Sequence, residues 1–251
     1  MSTRVVGILR FWAAAAFALA ALNAPAAYVY VDTFTSPTQT VEVAFGGPAS
    51  TFQYTNSTVA VGGEREVLLA RTNTSTEITS FIASSLSNGI TYSSPASAYG
   101  FARLIYDGID GTNGADSINF GGLASLDLTD GGANDRFHVR GGADVAGGQF
   151  IITVYSSETD YSVQALAVPG TGTDAANFTN FFFTFAGMTD FGNGANFANV
   201  NAIVLELNGL SQAGVDLGVN LFVAIPEPTG WWIASALGAL VLLRRRLTRK
   251  F

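Results

Sequence analysis

A glycine-rich segment at residues 107–116 carries the best arrangement of metal ligands in this sequence. It spaces Asp107, Asp110, Asn113 and Asp116 along a loop, and calcium binds such carboxylate and amide oxygens on flexible loops. The segment lacks the ligand order of an EF-hand and its terminal bidentate glutamate, and Asp-Gly and Asn-Gly pairs are also common hairpin turns. These four residues are candidate calcium ligands, with a solvated turn that needs no cofactor as the simpler interpretation.

His138 is the single histidine and therefore the first residue to test for nucleophilic catalysis. The sequence contains no Gly-x-Ser-x-Gly elbow that would present a serine to it. On an alternating strand His138 shares one face with Arg136 and Arg140, which predicts an outward polar position rather than a catalytic one.

Two pairs of neighbouring carboxylates, Glu64 with Glu66 and Glu158 with Asp160, suggest glycoside hydrolysis, in which two acids flank one bond. Residues 27–225 carry 18 acidic side chains, so such pairs arise by chance. We predict no catalytic residue and a protein that is not an enzyme.

The elements that position these residues are short β-strands separated by Gly, Asn, Asp and Ser. The pattern predicts strands over 28–34, 40–45, 64–71, 77–86, 100–106, 135–140, 149–155, 161–168, 179–185, 202–207 and 216–224.

So many strands in one chain predict an all-β fold, a two-sheet antiparallel β-sandwich of jelly-roll type spanning residues 27–225. A closed barrel and a short β-solenoid remain alternatives, although no fixed repeat supports the solenoid.

The aromatic run 178–185 predicts a core strand buried on both faces, with a platform for stacking sugars as the alternative. Gly62 and Gly63 predict a tight turn before a strand in which Arg65 pairs with a neighbouring carboxylate.

Composition excludes several functions. The absence of cysteine excludes thiol nucleophiles, cysteine-rich zinc sites and iron–sulfur clusters. Residues 27–225 hold 5 basic and 18 acidic side chains, a net charge of −13, so this region repels the phosphates of nucleic acids.

The N-terminus has the order of a secretion signal, with Arg4 and Arg10 before an apolar run at 11–22. Ala24 and Ala26 meet the requirement for small residues at the cleavage site, which predicts a signal peptide at 1–26 that passes through the secretion translocon. An uncleaved anchor helix is the alternative.

The C-terminal segment 226–251 begins with Pro226, Glu227 and Pro228, continues as an apolar stretch at 231–243 and ends in a basic cluster. Arg244, Arg245 and Arg246 should remain cytoplasmic, which would leave the main domain outside a membrane that the apolar helix enters. The alternative is an ordinary tail anchor with a chance tripeptide.

This order of tripeptide, short hydrophobic helix and basic end resembles the PEP-CTERM sorting tail. The resemblance implies a Gram-negative bacterium and processing by exosortase, with Pro226, Glu227 and Pro228 presented to that enzyme as its substrate. It also implies a membrane-anchored precursor, followed by delivery to the cell surface or to an exopolysaccharide matrix. The segments 62–66 and 127–132 resemble recurring features of domains that carry such tails, without indicating an activity. We therefore expect a non-catalytic surface protein, with a carbohydrate-binding module as the alternative.

Overall fold

The computed structural model describes residues 27–44, 48–72, 79–84, 89–111 and 118–227. The predictions for the signal peptide, including Ala24 and Ala26, and those for Pro228, Arg244, Arg245 and Arg246 lie outside the described residues. Within the described ranges, the chain forms no helix with the length and apolar character needed to cross a membrane.

Fourteen strands form two antiparallel sheets within the described residues, which confirms the predicted all-β, two-sheet architecture. Sheet I contains β1 (Val29–Asp32), β2 (Gln39–Val43), β5 (Thr79–Ser84), β6 (Gly89–Ser93), β8 (Asn134–Ala143), β11 (Thr179–Thr184) and β14 (Leu217–Pro226). Sheet II contains β3 (Ser50–Asn56), β4 (Glu64–Arg71), β7 (Gly100–Tyr106), β9 (Gly148–Tyr155), β10 (Tyr161–Val168), β12 (Thr189–Phe191) and β13 (Ala202–Asn208).

Eight of these strands form four nested antiparallel pairs. Strands β9 and β10 form the innermost pair, β8 with β11 and β7 with β13 enclose it, and β6 with β14 is outermost. The pairs alternate between the sheets, so the order is β6-β14-β8-β11 in sheet I and β7-β13-β9-β10 in sheet II. This winding is the connectivity of a jelly roll.

The two inner faces enclose one hydrophobic core. Strand β9 shows the pattern, because Phe150, Ile152 and Val154 are completely buried while the residues between them are partly exposed. Aromatic contacts join the sheets: Phe150 meets Phe181 edge-on with ring centroids 5.1 Å apart, and the corresponding distance between Tyr106 and Phe222 is 6.1 Å.

A buried ion pair also crosses the core. Arg65 of β4 donates from Nε to Oδ2 of Asp32 at 2.6 Å and from Nη2 to Oδ1 at 3.0 Å. The hydroxyl of Tyr106 donates to the same carboxylate, 3.1 Å from Oδ2. The prediction that Arg65 pairs with a carboxylate is confirmed, and the turn before it is a short 3-10 segment at Val61–Gly63.

The aromatic run occupies an edge strand, so its predicted burial on both faces is wrong. In β11, Phe181 and Phe183 point into the core, while Phe182 lies on the outer face with 46% of its surface exposed. A strand of a two-layer sandwich has only one inner face, so half of its side chains must face outward.

Candidate functional site

The outer face of sheet II carries a row of aromatic side chains. Tyr161 lies opposite Tyr155 in the pairing of β10 with β9 and opposite Phe191 in the pairing of β10 with β12. Phe120, from the segment that follows β7, continues the row. The centroid distances along it are 5.4 Å from Phe120 to Tyr155, 5.2 Å from Tyr155 to Tyr161 and 4.7 Å from Tyr161 to Phe191. Three neighbouring strands and one loop therefore align four rings.

A groove of about 330 Å³ lies beside this row, within the size range of ligand sites in proteins. Its apolar lining comes from Leu68, Ile105, Ile118, Ile151 and Val204. Its polar lining comes from Arg103, Thr153, Tyr155 and Glu206. Strands β4, β7, β13 and β9 supply the floor, and Ile118, from the segment after β7, adds a wall.

An ion pair in the groove presents hydrogen-bonding groups. Arg103 Nε lies 2.6 Å from Glu206 Oε2, and the guanidinium carbon lies 4.7 Å from the centroid of the Phe101 ring. Asn208 donates from Nδ2 to the other oxygen of Glu206. These contacts fix the orientation of the guanidinium fork and the carboxylate before any ligand arrives. Burial also raises the pKa of Tyr155, so its hydroxyl remains a donor at neutral pH.

A second feature of the same face is a buried group of carboxylates at the end of β4. Ligand oxygens from Glu64, Glu66 and Asp110 all lie within 4.8 Å of one another. Glu64 and Glu66 are 1% exposed, and so is Asp107, which begins the segment after β7. Neither glutamate carboxylate has a hydrogen-bond donor, and neither does Oδ1 of Asp107. Oδ2 of Asp107 accepts from the backbone N–H of Asn119 at 2.6 Å.

The electrostatics of this group oppose full ionisation. Burial, together with the charges of Asp107, Asp110 and Glu64, raises the pKa of Glu66 to about 9. The pKa of Asp107 is raised to about 6, because burial and the charges of Asp110 and Glu64 outweigh the hydrogen bond from the backbone of Asn119, which lowers it. The raised pKa of Glu66 therefore opposes a negative charge on this carboxyl group at neutral pH.

Glycines bring the chain segments around these carboxylates into contact. A Cβ on Gly122 would lie 1.3 Å from the carbonyl oxygen of Asp107, and one on Gly62 would lie 2.9 Å from the backbone nitrogen of Gly108. Gly62 also has a φ of 80°, which favours glycine. The turn before β4 and the segment after β7 can approach this closely only without side chains.

The structure brings two of the four predicted calcium ligands, Asp107 and Asp110, to this group, while Asn113 and Asp116 lie outside the described residues. Sequence reasoning missed the association with Glu64 and Glu66, which it considered only as a catalytic pair. The available signal was their i, i+2 spacing after a turn, which places both on one face of a strand.

The remaining catalytic candidates are separated. His138 lies on the outer face of sheet I with Arg136 and Arg140, as predicted, and its ring stacks on Phe182 at 4.9 Å. Asp160 accepts at Oδ1 from the backbone and side-chain nitrogens of Asn193, at 2.8 and 3.0 Å, and so connects two turns.

Two of the predicted sorting residues belong to the described structure. Pro226 is the last residue of β14 and lies opposite Asn134 of β8. Glu227 lies 3.1 Å from Nη2 of Arg136. The last strand therefore carries the chain two residues beyond the predicted strand end, to the surface of sheet I.

No protein-family model and no curated protein sequence matches this chain. Solved structures resemble it in fold with little sequence identity. A family 11 carbohydrate-binding module from Clostridium thermocellum, solved with a β-1,3-1,4-mixed-linked tetrasaccharide, is 8% identical, with a TM-score of 0.40 over 79% of this chain and 95% of that one. TmCBM61, solved with β-1,4-galactotriose, is 9% identical, with a TM-score of 0.34 over 77% and 90% of the two chains. The agarase AgWH50C is 10% identical, with a TM-score of 0.42 over 78% of this chain and 26% of the agarase. These similarities assign the chain to no family.

Proposed function

We propose that the β-sandwich is a non-catalytic domain that binds a polysaccharide in the groove on the outer face of sheet II. The observation that carries this proposal is the row of four aromatic rings, Phe120, Tyr155, Tyr161 and Phe191, beside that groove. A succession of rings across neighbouring strands suits a chain of repeating sugar units better than a compact ligand.

The chemistry of the groove complements that of a sugar. The C–H faces of a pyranose ring are apolar and weakly positive, and an aromatic face attracts them because its quadrupole is negative there. Sugar hydroxyls both donate and accept hydrogen bonds. Arg103 offers donors, Glu206 offers acceptor oxygens, and Thr153 and Tyr155 offer hydroxyls that serve in both roles.

Charge selects the class of polysaccharide. The net charge of −13 over residues 27–225 repels chains rich in uronate, sulfate or phosphate. We therefore expect a neutral polysaccharide as the ligand.

The carboxylates favour binding over hydrolysis. Glu64 and Glu66 are buried away from the groove opening, so a glycosidic bond cannot reach them. Both carboxylate oxygens of Glu206 are already engaged, by Arg103 and by Asn208. His138 lies on the opposite sheet.

Affinity electrophoresis of the full chain through gels containing single polysaccharides tests the proposal. We expect retardation by at least one neutral polysaccharide and none by polyanionic ones, with no release of reducing ends. Unretarded migration through a broad neutral panel, with and without calcium, would argue against the function. Retardation by polyanions alone would argue against the predicted selectivity.

The two ends of the chain support a further part of the same proposal, that this domain is exported and delivered to the cell surface. Pro226, Glu227 and Pro228 would be processed by exosortase, with the apolar stretch 231–243 as a transient membrane anchor. Intact-mass analysis from strains with and without exosortase tests this part. Loss of the C-terminal segment only in the strain with the enzyme is expected, and identical C-terminal masses would overturn it.

A further inference from the structure

The carboxylates of Glu64, Glu66 and Asp110 form a closed site rather than an acidic surface patch. Both glutamates project from β4 on the outer side of sheet II, and Asp110 of the segment after β7 lies beside them. Acidic side chains are almost never fully buried without a partner, because removing an ionised carboxylate from water is costly. Here all four glutamate oxygens are buried without a donor.

Two of these residues place their carboxyl oxygens close together. Carboxyl oxygens of Glu66 and Asp110 lie within 4.8 Å of each other. Two ionised carboxylates only accept hydrogen bonds, so neither can donate to the other. A bound cation would offset the repulsion between two carboxylates at this distance.

The protein has few cations with which to neutralise the group. Residues 27–225 contain no lysine and five arginines. Arg65, which lies between the two glutamates in sequence, points to the opposite side of the sheet and binds Asp32. Arg71 is five residues beyond Glu66 along β4, about 17 Å away in an extended strand. Arg103 pairs with Glu206, while Arg136 and Arg140 lie in sheet I.

We propose that Glu64, Glu66 and Asp110 bind a calcium ion, with Asp107 beside them as a further oxygen ligand. Carboxylate oxygens are hard ligands, and calcium accepts six to eight oxygens in variable geometry, including backbone carbonyls and water. Zinc prefers nitrogen and sulfur ligands, which this cluster lacks. Magnesium requires a nearly ideal octahedron of ligands at short distances, and carboxylates from a strand and a loop suit the variable geometry of calcium better.

The ion would connect β4 to the segment that follows β7. That segment also carries Ile118, which lines the groove, and Phe120, which begins the aromatic row. Calcium would therefore stabilise the domain and fix one wall of the groove. The metal site itself does not depend on the proposed binding of polysaccharide.

Calorimetry and thermal unfolding of the full chain, stripped of metal by a chelator, test the site. We expect about one calcium per chain, and a melting temperature that rises with calcium concentration because the ion binds only the folded state. Replacing Glu66→Gln removes a charge while keeping the shape of the side chain. It should weaken calcium binding at least tenfold.

The melting temperature of Glu66→Gln distinguishes calcium binding from a purely structural role of Glu66. In chelator, Glu66→Gln should melt at a higher temperature than the wild type, because a neutral amide costs less to bury beside Glu64 and Asp110 than a carboxyl group does, and in excess calcium this order should reverse. The matched control is Glu158→Gln, an exposed glutamate, which should change neither quantity. If Glu66→Gln does not fold, Asp110→Asn tests the same loss of affinity. Absence of calcium binding by the wild type, unchanged affinity in a folded variant, or equal stabilisation by magnesium would overturn the proposal.

Discussion

Tyr161 and Phe191 lie opposite each other in β10 and β12, with ring centroids 4.7 Å apart and ring planes inclined by 9°. The two rings form the outer end of the aromatic row on sheet II. Phe191 is 44% exposed, so part of its surface is available to a ligand. A matched residue exists on the other sheet, because Phe182 of the edge strand β11 is 46% exposed.

Replacing Phe191→Ala should weaken binding of the neutral polysaccharide about three- to tenfold, because one aromatic contact contributes about 0.5–1.5 kcal/mol. Replacing Phe182→Ala should leave affinity unchanged, since that ring lies on sheet I. Isothermal titration calorimetry of both variants measures the difference. Loss of binding only in the Phe182 variant would place the ligand on sheet I instead.

Replacing Arg103→Lys tests the polar part of the groove. Lysine keeps the positive charge but loses the planar fork and its packing on Phe101. We expect affinity for the polysaccharide to fall several-fold while the free energy of unfolding changes by less than about 1 kcal/mol, because Arg103 is 41% exposed. Titration calorimetry and urea unfolding separate the two effects. Unchanged affinity would exclude the guanidinium from the binding site.

Much of the fold follows from local patterns in the sequence. Alternation of polar and apolar residues predicted β9 and β10, and the short turn between them places Tyr155 opposite Tyr161. Three strands were missed. Strand β12 has only three residues, all exposed, so it has no hydrophobic pattern and depends on its pairing with β10. Phe191 was therefore missed as part of the row.

The carboxylate site could not be predicted because it depends on long-range pairing. Glu66 lies opposite Ile105 in the register of β4 and β7, which brings the end of β7 and the following Asp107 beside the glutamates. About 40 positions separate Glu66 from Ile105 in sequence, and local periodicity carries no information about which strands become neighbours. The carboxylates are brought together by the register of β4 with β7 and by the close contacts of Gly62 and Gly122, not by ligand spacing along one loop.

The buried ion pair between Asp32 and Arg65 should contribute strongly to the integrity of the fold. Replacing Asp32→Ala leaves the guanidinium buried without its partner and removes the acceptor of the Tyr106 hydroxyl and of the Phe34 N–H. We expect the free energy of unfolding to fall by about 3–5 kcal/mol in urea titrations. The control is Asp135→Ala, which breaks a partly exposed pair with Arg136 and should cost less than about 1 kcal/mol. Similar losses in both variants would contradict this role.

Two adjacent glycines test whether close backbone contact holds the segment after β7 in place. In Gly122→Ala the new Cβ would lie 1.3 Å from the carbonyl oxygen of Asp107, so the segment must move away from the end of β7. We expect this variant to lose about 2 kcal/mol or more of unfolding free energy, as strained substitutions do. Because Asp107 and Asp110 belong to the displaced segment, the calcium affinity of Gly122→Ala should also fall.

The control is Gly121→Ala, in which the nearest atom to the new Cβ is 3.8 Å away, an ordinary contact, so stability and calcium affinity should stay near wild type. Urea unfolding and calcium titration of the two variants provide the comparison, and equal behaviour would show that the contact does not position the ligands.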